Sequence, residues 1–159
     1  MIIDELVTDR TQADVDRVEA LKQKWLNGTI TSAEKTEWNN NLKGSYNATD
    51  LNRVGQAVAY VANLLNQAGR TVSVVAKQNW TTSSIPTRAQ MDAFLNDLTL
   101  LKQNVNANIP NVPSSMDNLD VATANRIEQI IIAVYDAINY EGANWTRSGV
   151  TYSGIVGGL

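Results

Sequence analysis

Apolar residues recur every three or four positions along several stretches of this chain, which is the spacing of one face of an α-helix. The first stretch follows Thr11 and ends before Gly28, a residue typical of left-handed helix ends. A capping-box pair, Thr31 and Glu34, predicts a shorter helix that reaches about Asn41. The apolar face of the first helix is predicted to contain Val15, Val18, Leu21 and Trp25.

Three longer helices are predicted further along the chain. One begins at Thr49 or Asp50 and ends at Gly69, the second follows Thr87, and the third covers about Asp120–Tyr140. Burial of their apolar faces against one another predicts an all-α fold, with residues 1–141 forming an antiparallel helical bundle. These faces contain Leu51, Val54, Val58, Val61 and Leu65, then Met91, Phe94, Leu98, Leu101 and Val105, and finally Ala124, Ile127, Ile131, Val134 and Ile138.

Two connecting segments have a different composition. Thr71–Val75 is rich in β-branched residues and predicts either a strand or an extended connection packed against helices. Ile109–Ser115 contains two prolines, which exclude a continuous helix there.

The segment 142–159 is predicted to be an extended, glycine-rich tail. Apolar residues alternate in it with small polar ones, a pattern that suits a strand added to the sheet edge of a partner; disorder is the alternative. The predicted partner-binding residues of the tail are Trp145, Val150, Tyr152, Ile155 and Val156.

Composition narrows the possible functions. The chain has 159 residues, a formal net charge of −3 and neither cysteine nor histidine, so thiolate chemistry and histidine general bases are excluded. With 13 basic against 16 acidic residues, nucleic acid is not an expected partner. The longest strongly apolar run, Ile130–Val134, is too short to cross a bilayer, and the first residues do not resemble a secretory signal. No membrane partner, metal or cofactor is expected.

Carboxylates are the remaining candidates for catalytic or metal-binding side chains. Glu34 and Glu37 could form an acid/base pair, and Asp14, Asp16 and Glu19 could hold a divalent cation. We expect all five to be solvated surface charges, with unperturbed pKa values for Glu34 and Glu37, so the protein is predicted not to be an enzyme.

Tryptophan side chains are candidates for an interface. Trp25 and Trp38 fit helical positions and are expected in the core. Trp80 and Trp145 lie in segments rich in serine and threonine, where an exposed ring could anchor a partner or stack on a sugar. For Trp80 the alternative is a ring that plugs the end of the bundle.

Several segments resemble a small module of tail- and baseplate-associated structural proteins of phages and prophages of Gram-positive bacteria. The resemblance covers about residues 8–138, and Tyr152–Gly154 is also similar to that group's C-terminus. It rests on Thr8–Val18, Ala33–Trp38, Lys43–Val54, Asn79–Thr81, Ile85–Thr87, Gln90–Met91 and Val112–Asp117.

The resemblance implies a non-enzymatic virion structural protein of a tail or baseplate, made in the cytoplasm of the bacterial host. Such a protein would act as an assembly subunit or adaptor. Its partners would be other tail or baseplate proteins, and it would form a homo-oligomer in the particle. A different hypothesis is a carbohydrate-binding module that recognises cell-wall glycan through Trp80, Tyr140, Trp145 and Tyr152.

Overall fold

All regular secondary structure in the described part of the chain is helical. The computed structural model describes residues 1–40, 42–117 and 119–147, with only the backbone of residues 143–147. A 3₁₀ helix at Ile2–Glu5 precedes five α-helices. These are α1 (Gln12–Leu26), α2 (Ser32–Asn39), α3 (Ala48–Gln67), α4 (Arg88–Gln103) and α5 (Val121–Arg147).

Capping boxes fix the starts of the first four α-helices. Thr11, Thr31 and Thr87 act as N-caps, as the sequence predicts. The predicted start of α3 at Thr49 or Asp50 is wrong, because Asn47 is its N-cap. The Asn47 side chain accepts a hydrogen bond from the Asp50 N–H, and the Asp50 carboxylate accepts one from the Asn47 N–H at 3.0 Å.

The last helix is longer than predicted. It continues past Tyr140 to Arg147, so residues 142–147 are helical and the prediction that they are extended is wrong. A single glycine, Gly142, costs a helix about 1 kcal/mol relative to alanine but does not end it, and no proline follows. The predicted tail residues 148–159 lie outside the described residues.

The main core is formed by the faces of α3, α4 and α5 that the periodicity predicts. Most of the predicted positions are buried, while Met91, Val105 and Ile138 at the helix ends are half-buried. The large apolar side chains of these helices with no exposed surface include Val54, Val58, Val61 and Leu65 on α3, Leu98 and Leu101 on α4, and Ile127, Ile130, Ile131 and Val134 on α5.

The first turns of α3, α4 and α5 lie at one end of this core. Leu51, Met91 and Ala124, one from each helix, line a single cleft there. The buried ion pair between Arg53 and Glu128 joins α3 to α5 one turn further on, with Nη2 and Oε1 3.0 Å apart.

The last turns of the three helices meet at the opposite end. Arg70, which follows α3, donates a hydrogen bond to the carbonyl of Asn104 after α4 and pairs with Glu141 on α5. Leu65 and Ile138 line one cavity at the same end. The three long helices therefore run in the same direction, and the antiparallel bundle predicted from the sequence is wrong.

Parallel packing is possible because two long connections return the chain to the starting end. Residues 68–87 run back along α3: Val72 bonds Asn66, and Trp80 bonds Asn52. No described residue of this connection is in a strand, so Thr71–Val75 is the extended connection of the two predicted alternatives. About ten extended residues span roughly 33 Å, which matches the roughly 30 Å length of a 20-residue helix such as α3.

The second connection, residues 104–120, follows α4 in the same way. Lys102 Nζ contacts the Pro110 carbonyl near the end of α4, and Arg88 approaches Asp117 near its start at 3.8 Å. Ile109 is buried in the core. The two prolines that exclude a helix here therefore lie in an extended return segment.

Candidate functional site

Four buried charged side chains lie next to the cleft at the starting end. Arg10, Asp50, Arg53 and Glu128 are all at most 9% exposed. Arg10 Nη2 lies 3.1 Å from Asp50 Oδ1 and 2.8 Å from Glu128 Oε1, and Arg53 Nη2 lies 2.6 Å and 3.0 Å from the same two atoms. Two positive and two negative charges thus neutralise one another away from water.

This ion cluster holds the N-terminal segment against α5. Glu128 Oε2 also accepts a hydrogen bond from the Val7 N–H at 2.6 Å. The Asn125 side chain bonds both backbone groups of Arg10, accepting from its N–H at 3.0 Å and donating to its carbonyl at 2.9 Å. Arg10 in turn donates to the Lys43 carbonyl. One side of the cleft is therefore fixed by polar contacts between distant parts of the chain.

The cleft itself has a volume of about 530 Å³. Its lining is mainly apolar, and the half-buried Met91 and Met116 face it from α4 and from the second connection. Exposed charged residues also contribute, chiefly Arg88, Asp117 and Asp120. Apolar lining residues outside the methionines include Val15, Tyr46, Leu51, Leu119, Val121 and Ala124. A partly apolar cleft of this size is suited to binding a peptide or another small ligand.

Tyr46 stands between the cleft and the ion cluster. Its hydroxyl oxygen is buried and has no hydrogen-bond partner in the described structure. Burial, together with the nearby Glu128 carboxylate, raises the pKa of the Tyr46 phenol well above its usual value, so the ring stays neutral. The Arg10 guanidinium lies 5.1 Å from the ring centroid.

A second cleft, about 570 Å³ in volume, opens on the other side of Tyr46. It is lined by Trp38 and Trp80 together with neutral polar residues, among them Asn39, Asn47, Thr81, Thr82 and Ser84. Aromatic rings with amides and hydroxyls are typical of carbohydrate sites.

Trp80 is only 7% exposed, so the exposed ring, one of the two predicted alternatives for this residue, is wrong. The Lys77 ammonium lies 4.3 Å from its ring centroid, and Asn52 bonds both backbone groups of Trp80. The alternative, a ring buried at one end of the helices, describes its position better.

The other predicted site residues do not join Trp80. Tyr140 is 70% exposed on the last part of α5, near the opposite end of the core. The backbone of Trp145 lies in α5, while its side chain and the residues Val150, Tyr152, Ile155 and Val156 lie outside the described part of the chain. The described residues thus bring no two members of the predicted glycan set together.

An exposed apolar surface occurs on α1 instead. Trp25 is 47% exposed and Leu26 is 69% exposed, so the expectation that Trp25 is a core residue is wrong. The Trp25 ring packs against the half-buried Trp38 of α2, with centroids 6.1 Å apart. Of the four predicted face residues of α1, Leu21 alone is fully buried. The reason is that α1 packs on the small helix α2, which covers only part of the Trp25 ring and leaves Leu26 exposed.

The acidic pair Glu34 and Glu37 is engaged in ion pairs, contrary to expectation. The Lys24 ammonium and the Thr31 backbone lower the pKa of Glu34 to about 2, and Arg17 lowers that of Glu37. Both stay ionised near neutral pH, which is unsuitable for a proton donor. Within the described residues, no group of three or more acidic side chains is placed to bind a metal ion.

Comparison with known proteins gives no assignment. No protein-family model matches the chain, and no curated protein and no solved structure is significantly similar to it. Among the described helices, none is both long and apolar enough to span a bilayer.

Proposed function

We propose that this protein is a non-enzymatic structural subunit or adaptor of a phage tail or baseplate, and that it acts in the virion by binding neighbouring proteins. The proposal joins the sequence resemblance over residues 8–138 to one structural observation. That observation is the exposed apolar end of α1, where Trp25 and Leu26 lie outside the main core.

Such a surface is suited to protein contacts. A large aromatic side chain supplies much of the binding energy of an interface when a partner covers it, and a neighbouring aliphatic residue extends the contact. The Lys35 ammonium lies 5.9 Å from the Trp25 ring centroid and supplies a charged edge. Homo-oligomerisation in the particle, and partner binding by Trp145 and the tail, belong to the same proposal.

The proposed location of the protein in the virion is tested with antibodies raised against the purified protein. Tailed particles induced from a strain that encodes this chain are purified on a density gradient and imaged by electron microscopy. Label on the tail or baseplate is expected. Protein found in the lysate but never in the particles would overturn the proposal.

The docking surface is tested with a double variant, Trp25→Ser with Leu26→Ser. We expect a loss of incorporation into particles of at least about tenfold, because an anchor of this kind contributes roughly 2 kcal/mol or more. Ile85→Ser is the matched control, since Ile85 is 86% exposed and does not belong to α1. Equal incorporation of both variants would exclude the end of α1 as the docking surface.

The second cleft favours one other candidate function, recognition of cell-wall glycan. Trp38 and the largely buried Trp80 line the cleft together with neutral amide and hydroxyl residues. Titration with cell-wall oligosaccharides, followed by tryptophan fluorescence, tests it, with Trp38→Ala as the variant expected to lose the signal. An unchanged spectrum at millimolar saccharide would reject this candidate.

A further inference from the structure

The cleft at the starting end of α3, α4 and α5 keeps apolar surface in contact with water. Val15, Met91, Met116 and Val121 line it and are only half-buried. Covering such side chains is favourable in proportion to the apolar area removed from water. The cleft is therefore a place where an apolar peptide segment would be held.

The chain itself contains a segment of matching chemistry. Residues 148–159 carry no charged side chain, and Val150, Tyr152, Ile155 and Val156 are spaced among glycine, serine and threonine. An uncharged segment enters an apolar cleft without the cost of burying a charge. The exposed charges at the cleft, Arg88, Asp117 and Asp120, can remain in water.

The length of α5 prevents this segment from filling its own cleft. Ala124 of α5 lines the cleft, whereas α5 ends at Arg147, about 35 Å further along a straight helix. The nine residues from 148 to 156 span at most about 32 Å when fully extended. Val150 and Tyr152 reach much less far, so the cleft can receive this segment only from another molecule.

We propose that the cleft binds residues 150–156 of a second copy of this chain, so that copies join head to tail. This inference rests on the proposed function and names its partner. A head-to-tail contact uses two different surfaces and therefore produces rings or open chains rather than closed dimers. The parallel helices place the cleft and Arg147, the residue that precedes the segment, at opposite ends of the described structure, as such an assembly requires.

The first experiment measures the molar mass of the full chain by size-exclusion chromatography with light scattering over a range of concentrations. Met91→Lys places a charge in the cleft, and Ile155→Asp places one in the segment. The matched controls are Asn96→Lys, at an exposed position of the same helix, and Ser148→Asp, which lies outside residues 150–156. Far-UV circular dichroism verifies folding, and Met116→Lys replaces Met91→Lys if that variant does not fold.

Mixing the two defective variants gives the decisive result. Each variant alone is expected to be monomeric, whereas the controls and the unaltered chain form concentration-dependent oligomers. An equimolar mixture of Met91→Lys and Ile155→Asp has one intact cleft and one intact segment that can pair, so it is expected to form dimers and nothing larger. A mixture that stays monomeric, or variants that assemble like the unaltered chain, would overturn the proposal.

A synthetic peptide of residues 148–159 provides a direct measurement. We expect it to bind the full chain with a Kd of roughly 10 µM to 1 mM, since the contact is small and an ordered peptide loses conformational freedom. The Met91→Lys variant should bind at least about tenfold more weakly. Absence of peptide binding would contradict the proposal. Binding of a saccharide rather than the peptide in the cleft would contradict it as well.

These outcomes are separate from those of the proposed function. A chain that assembles head to tail in solution but is absent from particles would retain this inference and reject the virion role. A chain present in particles whose Ile155→Asp variant still assembles would reject this inference alone.

Discussion

Glu128 is the residue on which most of the buried polar contacts converge. It accepts hydrogen bonds from the Val7 N–H and from Arg53, and it lies 2.8 Å from Arg10. It has no exposed surface. Removing its charge would leave two guanidinium groups with a single buried partner, Asp50.

We therefore expect Glu128→Gln to lower the free energy of unfolding by about 3–5 kcal/mol, the usual cost of breaking a buried ion pair from one side. Urea unfolding followed by circular dichroism measures the change. Glu19→Gln, which removes an exposed pair with Lys22, should leave the free energy of unfolding nearly unchanged. A small change for Glu128→Gln would mean that the cluster is hydrated in solution.

Asp97 shows what burial does to a carboxylate held by backbone groups. It is 1% exposed and accepts a hydrogen bond from the Val75 N–H at 3.0 Å and another from the Ala76 N–H. Burial raises the pKa of the Asp97 carboxyl above its ordinary value, and the two hydrogen bonds only partly oppose this.

Because the pKa of Asp97 is raised in the folded state, the free energy of unfolding depends on pH. Between the unfolded-state and folded-state pKa values, the folded protein binds a proton that the unfolded chain does not bind. The stability contributed by Asp97 is therefore greatest at low pH and decreases as pH rises through that interval. Relative to Asp97→Asn, the unaltered chain should lose free energy of unfolding over the pH range above about 3.8, the ordinary pKa of an aspartate carboxyl.

Urea unfolding of both proteins across this range measures the difference. Asp92→Asn serves as the control, because its side chain is 53% exposed on the same helix. A difference that is constant with pH, or that grows in favour of the unaltered chain as pH rises, would contradict the assigned direction.

At the scale of elements, the first connection lies directly on α3. Gly55 is buried in α3, and a Cβ at this position would lie 2.4 Å from the Lys77 carbonyl oxygen. Because that oxygen belongs to the backbone, relief requires the connection to move. The glycine is thus needed for close approach, although it weakens the helix that contains it.

Gly55→Ala should therefore lower the free energy of unfolding by roughly 1–3 kcal/mol, against its gain in helix propensity. Gly142→Ala is the matched control, since Gly142 is also helical and its Cβ would meet no atom within 4 Å. That change should stabilise the protein by up to about 1 kcal/mol. Thermal unfolding compares the two, and stabilisation by both would show that the connection does not lie on α3 in solution.

At the scale of the whole molecule, the common direction of α3, α4 and α5 determines where each surface lies. The cleft is at the end where these helices begin, and α5 carries the chain to the other end. An antiparallel bundle of the same helices would place the helix starts at both ends. The direction of the helices therefore decides whether a head-to-tail contact is geometrically available.

Spin-label distances test this direction. The chain has no cysteine, so labels attach only where cysteine is introduced. With one label at exposed Thr49, the distance to a label at Ala122 should be shorter than the distance to one at Asn139 by about 15 Å. The reverse order of the two distances would restore the antiparallel arrangement.

The sequence by itself determined which segments are helical and which of their faces are apolar. Both properties are local, because the capping side chains and the three-to-four spacing act within a few residues of one another. The positions Val54, Val58, Val61 and Leu65 were thus predictable as core residues, as was the helix start at Thr87.

Tertiary structure alone decided the direction of the helices, the pairing of Arg10 with Glu128, and the exposure of Trp25 and Trp80. A periodic pattern is the same whichever way its neighbour runs, and two charges 118 positions apart leave no local signal. Long connections permit either direction, and their extended course depends on side chains such as Asn66 and Asp97 that bond the returning backbone. The cleft exists only because three helix starts meet at one end, which depends on packing between segments distant in the sequence.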